Sequence, residues 1–397
     1  MKLLAVAAAV TLAACGSGSQ LRGATAPAPS AGASSQQASP YSGQPSPSPH
    51  PLSTSLFVIA TGLQGFQPVN PHAAPGQATV QIVDAKSHVY ASATFRPPPA
   101  PLIGNAVPLM QSPVRTARGA VYYADSTGAV HRLKPDGSMS VVATFPLTNG
   151  QQELSYAVSP DGAHLIAIVL STPPIHNPPP QNIGDPLYVN GGHWTLQVQT
   201  ADAGSNTSTT FQRDLGTAYP TPTTIVGWDA RGPLATLNTS LGTQQEPASD
   251  HIYGSPLIHI GPDGTHLDAM GGQGCGAVDV IADGTVLCDS DAQNFSVRTS
   301  SGAILWQSGF SSNDYYPGLW LSPDANAVAA QGVVVTRYSV ASASRQNAAG
   351  SSLVALGWLD SNTVVVATQL GQLSLYDAGS FTKIRDMGLA GIFEGVL

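Results

Sequence analysis

The chain has 397 residues, of which 15 are Lys or Arg and 23 are Asp or Glu, so that only a tenth of the side chains are charged and the formal net charge is -8. That balance excludes a nucleic-acid binder, which needs a basic stripe to displace phosphate counterions. It also lacks the polybasic cluster that would hold a protein to anionic lipid.

Residues 1–14 read as an export signal. Lys2 supplies a minimal positive region, and Leu3 to Leu12 form an apolar core too short to span a bilayer. The run Leu12-Ala13-Ala14-Cys15-Gly16 resembles the lipobox of bacterial lipoproteins. The resemblance implies cleavage before Cys15, lipidation of its side chain, and an exported protein anchored to the cell membrane or envelope. Acyl chains anchor without a transmembrane helix, each buried methylene contributing about 0.8 kcal/mol. Residues 15–53 continue in Ser, Ala, Gly, Pro and Gln, with Arg22 the one charged side chain. Such a segment buries too little apolar surface to offset backbone ordering and is expected to be a disordered tether, kept extended by Pro45, Pro47, Pro49 and Pro51.

From residue 54 to 397 one unit recurs at a spacing of about 40–50 residues: an apolar run, a Gly or Asp turn, a second apolar run, and an alternating run. With strand-type pattern throughout, this predicts an all-β propeller of four-stranded blades, strands A to D running outwards from the channel. Leu56 to Ala60 is strand B of a first blade, with Thr79 to Asp84 and His88 to Phe95 as C and D. Val121 to Asp125, Ala129 to Leu133 and Ser140 to Phe145 are B, C and D of a second. The third spans about 154–215, and the fourth runs from Thr224 to about Met270. The fifth holds Cys275, Cys288, Phe295 to Arg298 and Ala303 to Trp306. The sixth begins at Leu319 and the seventh at Leu353. Gly391 to Val396 supplies the strand A that the first blade lacks, closing the ring and removing exposed sheet edges. The count is seven, with six or eight as alternatives.

The turns Ser159-Pro160-Asp161-Gly162 and Ser322-Pro323-Asp324, with Leu375-Tyr376-Asp377, resemble WD40 and TolB-type propellers. Ser301 to Trp306 resembles the Gly-x-x-x-Trp strand of quinoprotein-like propellers, and Gly119 to Asp125 resembles NHL or lactonase-type repeats. These resemblances imply the architecture and no single family.

Catalytic signals are sparse. Glu occurs only at 153, 246 and 394, and Asp136, Asp161, Asp263, Asp283 and Asp324 fall in turns, where Asp serves its own backbone, so a carboxylate-pair enzyme is disfavoured. No Gly-x-Ser-x-Gly elbow or zinc-ligand spacing occurs. Trp306 does not repeat from blade to blade, which weakens a quinone-cofactor reading. Lactonase-type propellers hold a divalent metal in the channel, and Asp125, Asp289 and Asp291 lie at the ends of B strands where such ligands could point inward. Oxygen ligands would suit calcium, although capping of a B–C hairpin accounts for the same residues. Cys275 and Cys288 bracket strands A and B of one blade in an oxidising setting. With Cys288 opposite Val278, Cys275 lies about three residues beyond, roughly 10 Å in a straight strand. Gly274 and Gly276 could fold the chain back to form a disulfide worth about 2–3 kcal/mol. Two separate buried thiols are the alternative.

The chain spends extra residues between strands B and C of the first, third and fourth blades: Gly62 to Ala78, Ser171 to Trp194, and Gly242 to Ser255. All B–C connections leave one face, and long loops in a compact domain are commonly functional. His176, Tyr188, His193 and Trp194 in the second insert, with His251 and Tyr253 in the third, are the candidate contact residues. The sequence therefore reads as a monomeric, surface-tethered lipoprotein whose propeller is a non-catalytic binding or scaffolding module without a cofactor. The B–C face would take a protein, glycan or small molecule. The alternative is a metal-dependent hydrolase or lactonase with one divalent ion at the channel mouth.

Overall fold

The computed structural model describes residues 53, 55–63, 76–99, 107–108, 112–148, 152–171, 193–205, 207–216, 223–237, 241–242, 256–290, 294–308, 319–330, 333–339, 342–347, 353–368 and 371–397. All fall within the compact unit Pro47–Leu397. The signal segment, Cys15 and nearly all of the tether lie outside the described residues.

The described secondary structure is entirely β. Blade 1 contains β1 (Phe57–Thr61), β2 (Ala78–Val83) and β3 (Val89–Phe95), and the two-residue β4 (Val107–Pro108) follows in the connection to blade 2. Blade 2 is β5 (Val114–Ala117), β6 (Ala120–Ala124), β7 (Ala129–Leu133) and β8 (Met139–Thr144). Blade 3 is β9 (Gln152–Val158), β10 (His164–Ser171), β11 (Trp194–Asp202) and β12 (Ser208–Gly216). Blade 4 is β13 (Thr223–Asp229), β14 (Gly232–Leu237), β16 (Leu257–Ile260) and β17 (His266–Ala269), with β15 (Leu241–Gly242) inside its B–C insert. Blade 5 is β18 (Gly276–Val280), β19 (Val286–Ser290), β20 (Asn294–Arg298) and β21 (Ile304–Gln307). Blade 6 is β22 (Trp320–Leu321), β23 (Ala327–Ala330), β24 (Val333–Ser339) and β25 (Ser342–Asn347). Blade 7 is β26 (Leu353–Asp360), β27 (Thr363–Thr368), β28 (Gln372–Asp377) and β29 (Lys383–Ala390), after which β30 (Ile392–Val396) completes blade 1.

The propeller therefore has seven blades, each an antiparallel four-stranded sheet. Closure follows the expectation: β30 pairs antiparallel with β1, Phe57 opposite Val396 and Ala60 opposite Ile392. The Leu397 amide adds a bond to the Leu56 carbonyl at 2.9 Å. The last strand thus covers the inner edge of the first blade and removes a template for edge-to-edge pairing.

The core is a ring rather than a centre. Seven apolar clusters fill the seven blade–blade junctions, because alternate side chains of each sheet point to opposite neighbours. Tyr122 and Phe145 meet Tyr156 and Leu165 between blades 2 and 3. Trp194 and Val198 meet Ile225 between blades 3 and 4. Between blades 7 and 1, Val365 and Leu375 meet Phe57 and Ile59. Arg115, buried on β5, adds a polar clasp between blades 2 and 3 by donating to the Tyr156 carbonyl at 3.0 Å.

The Ser-Pro-Asp turns between strands A and B have one construction. The Ser159 hydroxyl donates to Asp161 Oδ1 and accepts the His164 amide at 2.9 Å. Ser322, Asp324 and the Ala327 amide repeat these bonds in blade 6. These Asp residues are spent on turn geometry, as the sequence implied.

Candidate functional site

On the face bearing the B–C connections, the structure gives one feature the sequence did not announce. β15 pairs antiparallel with β4, Leu241 opposite Pro108 and Gly242 opposite Val107. The B–C insert of blade 4 is thereby joined to the connection between blades 1 and 2, with blades 2 and 3 lying between them in the ring.

The expected contact residues fare differently. His193 stands at the edge of the blade 3 insert, exposed, with Nδ1 2.6 Å from Asp214 Oδ2. Trp194 corrects the expectation, because it is only 1% exposed and packs with Ile168, Leu196 and Ile225 at the junction of blades 3 and 4. Its position opposite Gly216 starts strand C and turns the indole into the core. His176, Tyr188, His251 and Tyr253 lie outside the described residues.

Of the candidate metal ligands, Asp125 caps its own hairpin. Oδ1 accepts the Thr127 and Ala129 amides at 2.8 and 3.2 Å and the Thr127 hydroxyl at 2.6 Å, while Oδ2 lies 2.8 Å from His131 Nε2. Partial burial works to raise its pKa, but the bonds from Thr127, His131 and Ala129 leave it below the ordinary carboxylate value. Asp289 sits in β19, opposite Gly276 and Phe295. Asp291 lies outside the described residues. Among the described residues no three His, Cys, Asp or Glu gather closely enough to hold a metal ion.

Cys275 and Cys288 form a disulfide, with Cα atoms 5.0 Å apart. The expected register was off by one: Cys288 faces Ala277, because the pairing of β18 with β19 shifts between Ala277 and Asp279 and leaves Val278 as a bulge. Gly271 gives the bridge its room. A Cβ there would lie 2.4 Å from Cys275 Sγ and 2.9 Å from Cys288 Sγ.

A cavity lies elsewhere. Every strand A runs from the D–A connection towards the A–B turn, and the ends of five of them enclose about 320 Å³ of the channel near the A–B turns. Its lining comes from β13, β18 with Ile281 and Ala282 of the turn after it, β22, β26 and β30, with Leu234 of β14 beside them. Trp228, Trp320 and Phe393 supply three aromatic rings, each partly exposed, and Asp229, Asp279 and Glu394 supply three carboxyl groups. Asp229 is held by the Arg231 and Gly232 amides at 2.7 and 3.1 Å and by His259 Nε2 at 3.0 Å. Asp279 accepts the Leu321 amide of the next blade at 2.7 Å.

A shared irregularity puts these groups there. At one matching position the A–B pairing shifts by one residue in blades 1, 4, 5 and 7, and the extra residues there are Glu394, Val226, Val278 and Leu356, while blade 7 shifts a second time past Trp358. A bulge bends its strand and re-aims side chains. Three of the four bulged residues line the cavity. In blades 1, 4 and 7 the next residue is glycine: Gly395, Gly227 and Gly357. In blade 5 it is Asp279, so a carboxylate occupies the position that its sister blades leave bare. The recurring Gly-Trp at 227–228 and 357–358 was the one sequence signal that could have marked this position.

The architecture so defined is a closed seven-bladed β-propeller. No family model matches the chain, and no curated protein matches its sequence. Solved structures are similar to this chain over most of its length. The dihydro-heme d1 dehydrogenase NirN is 12% identical with a TM-score of 0.42, covering 88% of this chain and 76% of that one. The Cps50 (Swd1) propeller of Myceliophteria thermophila is 12% identical with a TM-score of 0.41, covering 70% and 87%. AztD from Citrobacter koseri is 10% identical with a TM-score of 0.41, covering 87% and 99%. At these identities and TM-scores the likeness says nothing of what this chain does.

Proposed function

We propose that the protein is an exported, lipid-anchored binding propeller of the cell envelope, held through Cys15 and a Pro-rich tether, whose B–C face engages a protein or glycan partner without catalysis. The observation that supports this reading most directly is the pairing of β15 with β4. It organises two connections from separate blades on the face where the inserts of blades 1, 3 and 4 also emerge, and loops ordered by a rigid scaffold are good recognition surfaces. The alternative, a hydrolase with a divalent ion held by Asp125, Asp289 and Asp291, has weaker support, since the Asp125 oxygens are already engaged within their hairpin.

Two measurements test the reading. Replacing Cys15 with Ala should move the protein from the membrane fraction to the soluble one and abolish labelling by a fatty-acid probe. A photo-crosslinker at exposed His193 should capture a discrete adduct in intact cells, whereas one at Asp283, in an A–B turn of the opposite face, should not. Equal capture at both positions, or none at His193, removes the assignment of the face.

A further inference from the structure

We propose that the channel cavity at the A–B turn end binds a small organic ammonium ion. This is a second site, independent of the B–C face. Three observations carry it. The first is charge: Asp229, Asp279 and Glu394 line the cavity and no lining residue is a Lys, Arg or His, although His259 and Arg231 reach Asp229 from outside the lining at 3.0 and 3.9 Å. A concave site walled by one sign of charge favours the opposite ion.

The second is the aromatic wall. Trp228, Trp320 and Phe393 line the cavity, and an aromatic ring attracts a cation, the more so when the ion is desolvated. Two of these rings are fixed before any ligand arrives. Trp320 Nε1 donates to the Ala355 carbonyl at 2.9 Å. Phe393 fills the space over Gly357, where a Cβ would lie 2.7 Å from its Cε1. Fixed rings lower the entropy lost on binding.

The third is the kind of polar group present. No Ser, Thr, Asn or Gln lines the cavity, so its polar side chains are carboxyls and the two indoles, and the Trp320 N–H is already committed. Carboxylates and π faces attract an ammonium ion through its charge, which a sugar lacks. Three carboxyl groups not grouped for a metal, beside three rings, fit an organic cation better than a bare divalent ion.

The test uses the full mature chain, followed by intrinsic tryptophan fluorescence and titration calorimetry. Choline and ethanolamine are the cationic probes. 3,3-Dimethyl-1-butanol, the uncharged analogue of choline, glucose and calcium chloride are the comparisons. Saturable binding of at least one cation is expected, about tenfold or more tighter than the neutral analogue. Asp279→Gly, which copies the residue found after the bulge in blades 1, 4 and 7, should weaken the cation about tenfold while leaving the neutral analogue unchanged. Trp228→Phe should retain weakened binding, and Trp228→Ala should lose it. Equal binding of the neutral analogue, preference for glucose, calcium binding that choline does not displace, or no response to either cation would each overturn the proposal. Crosslinking at His193 reads the other face, so either result can fail without the other.

Discussion

The indole N–H of Trp358 donates to the main-chain carbonyl of Trp320 at 2.8 Å, tying strand A of blade 7 to strand A of blade 6. Trp320 returns the tie through its own indole, bonded to the carbonyl of Ala355. Two tryptophans thus replace, at this junction, the main-chain pairing that inner strands of neighbouring blades do not make. Trp358→Phe keeps most of the apolar volume and removes the donor of this bond. That should cost about 0.5–1.5 kcal/mol in urea unfolding. A loss within error would mean that the Trp320 carbonyl finds water or another donor.

Gly357, the residue before Trp358 in β26, has a φ of +146° with the Phe393 ring against it. Gly357→Ala should therefore destabilise the protein by about 2–3 kcal/mol, from backbone strain and displacement of that ring. Gly227 occupies the matching place in blade 4 with no positive φ, and a Cβ there would meet nothing within 4 Å. Gly227→Ala should be nearly neutral by the same unfolding measurement. Equal costs at the two sites would show that the bulge itself, and not Phe393, demands glycine.

The blade count, the A-to-D order and the closing strand were legible because each rests on local pattern: apolar alternation, Asp-Gly turns, and a first blade visibly short of one strand. The channel site was not, because it depends on one-residue bulges that alternation cannot reveal. The same bulge accounts for the misplaced cysteine register. Val278 reads as the partner of Cys288 in a straight strand, yet it is the residue pushed out, and Ala277 takes its place. Trp194 shows the converse limit. It closes a long insert in sequence and looks available to a partner, but it is the first residue of strand C and belongs to the core.

The Cys275–Cys288 bridge encloses a short loop and packs against Met270 and Ala277 between blades 4 and 5. A double Cys275→Ala, Cys288→Ala variant should lose about 2–3 kcal/mol. Because Cys288 is fully buried, reductant should act on it only after unfolding. Non-reducing mass spectrometry after alkylation should find neither residue labelled in the native protein, whereas two labelled thiols would reject the bridge.

Glu153 provides a pH dependence with a defined sign. It lies on β9, opposite Leu170, only 5% exposed, and its Oε2 has no hydrogen-bond partner among the described residues. It shares the face of Ser155, whose hydroxyl accepts the Ile225 amide across the junction with blade 4. Burial disfavours the charged form and pushes the carboxyl from 4.5 to about 7. Between those values the folded chain keeps the proton while the unfolded chain has released it, so stability falls as pH rises. The stabilisation is complete below about 4.5 and is lost by about 7, a difference of about 3 kcal/mol. Glu153→Gln resembles the protonated acid and carries no titration. The variant and the parent should therefore unfold at similar temperatures near the acid end of this window, and the variant should gain steadily as the pH approaches neutrality. Parallel melting curves across the range would mean that the carboxylate is ionised and compensated inside the folded protein.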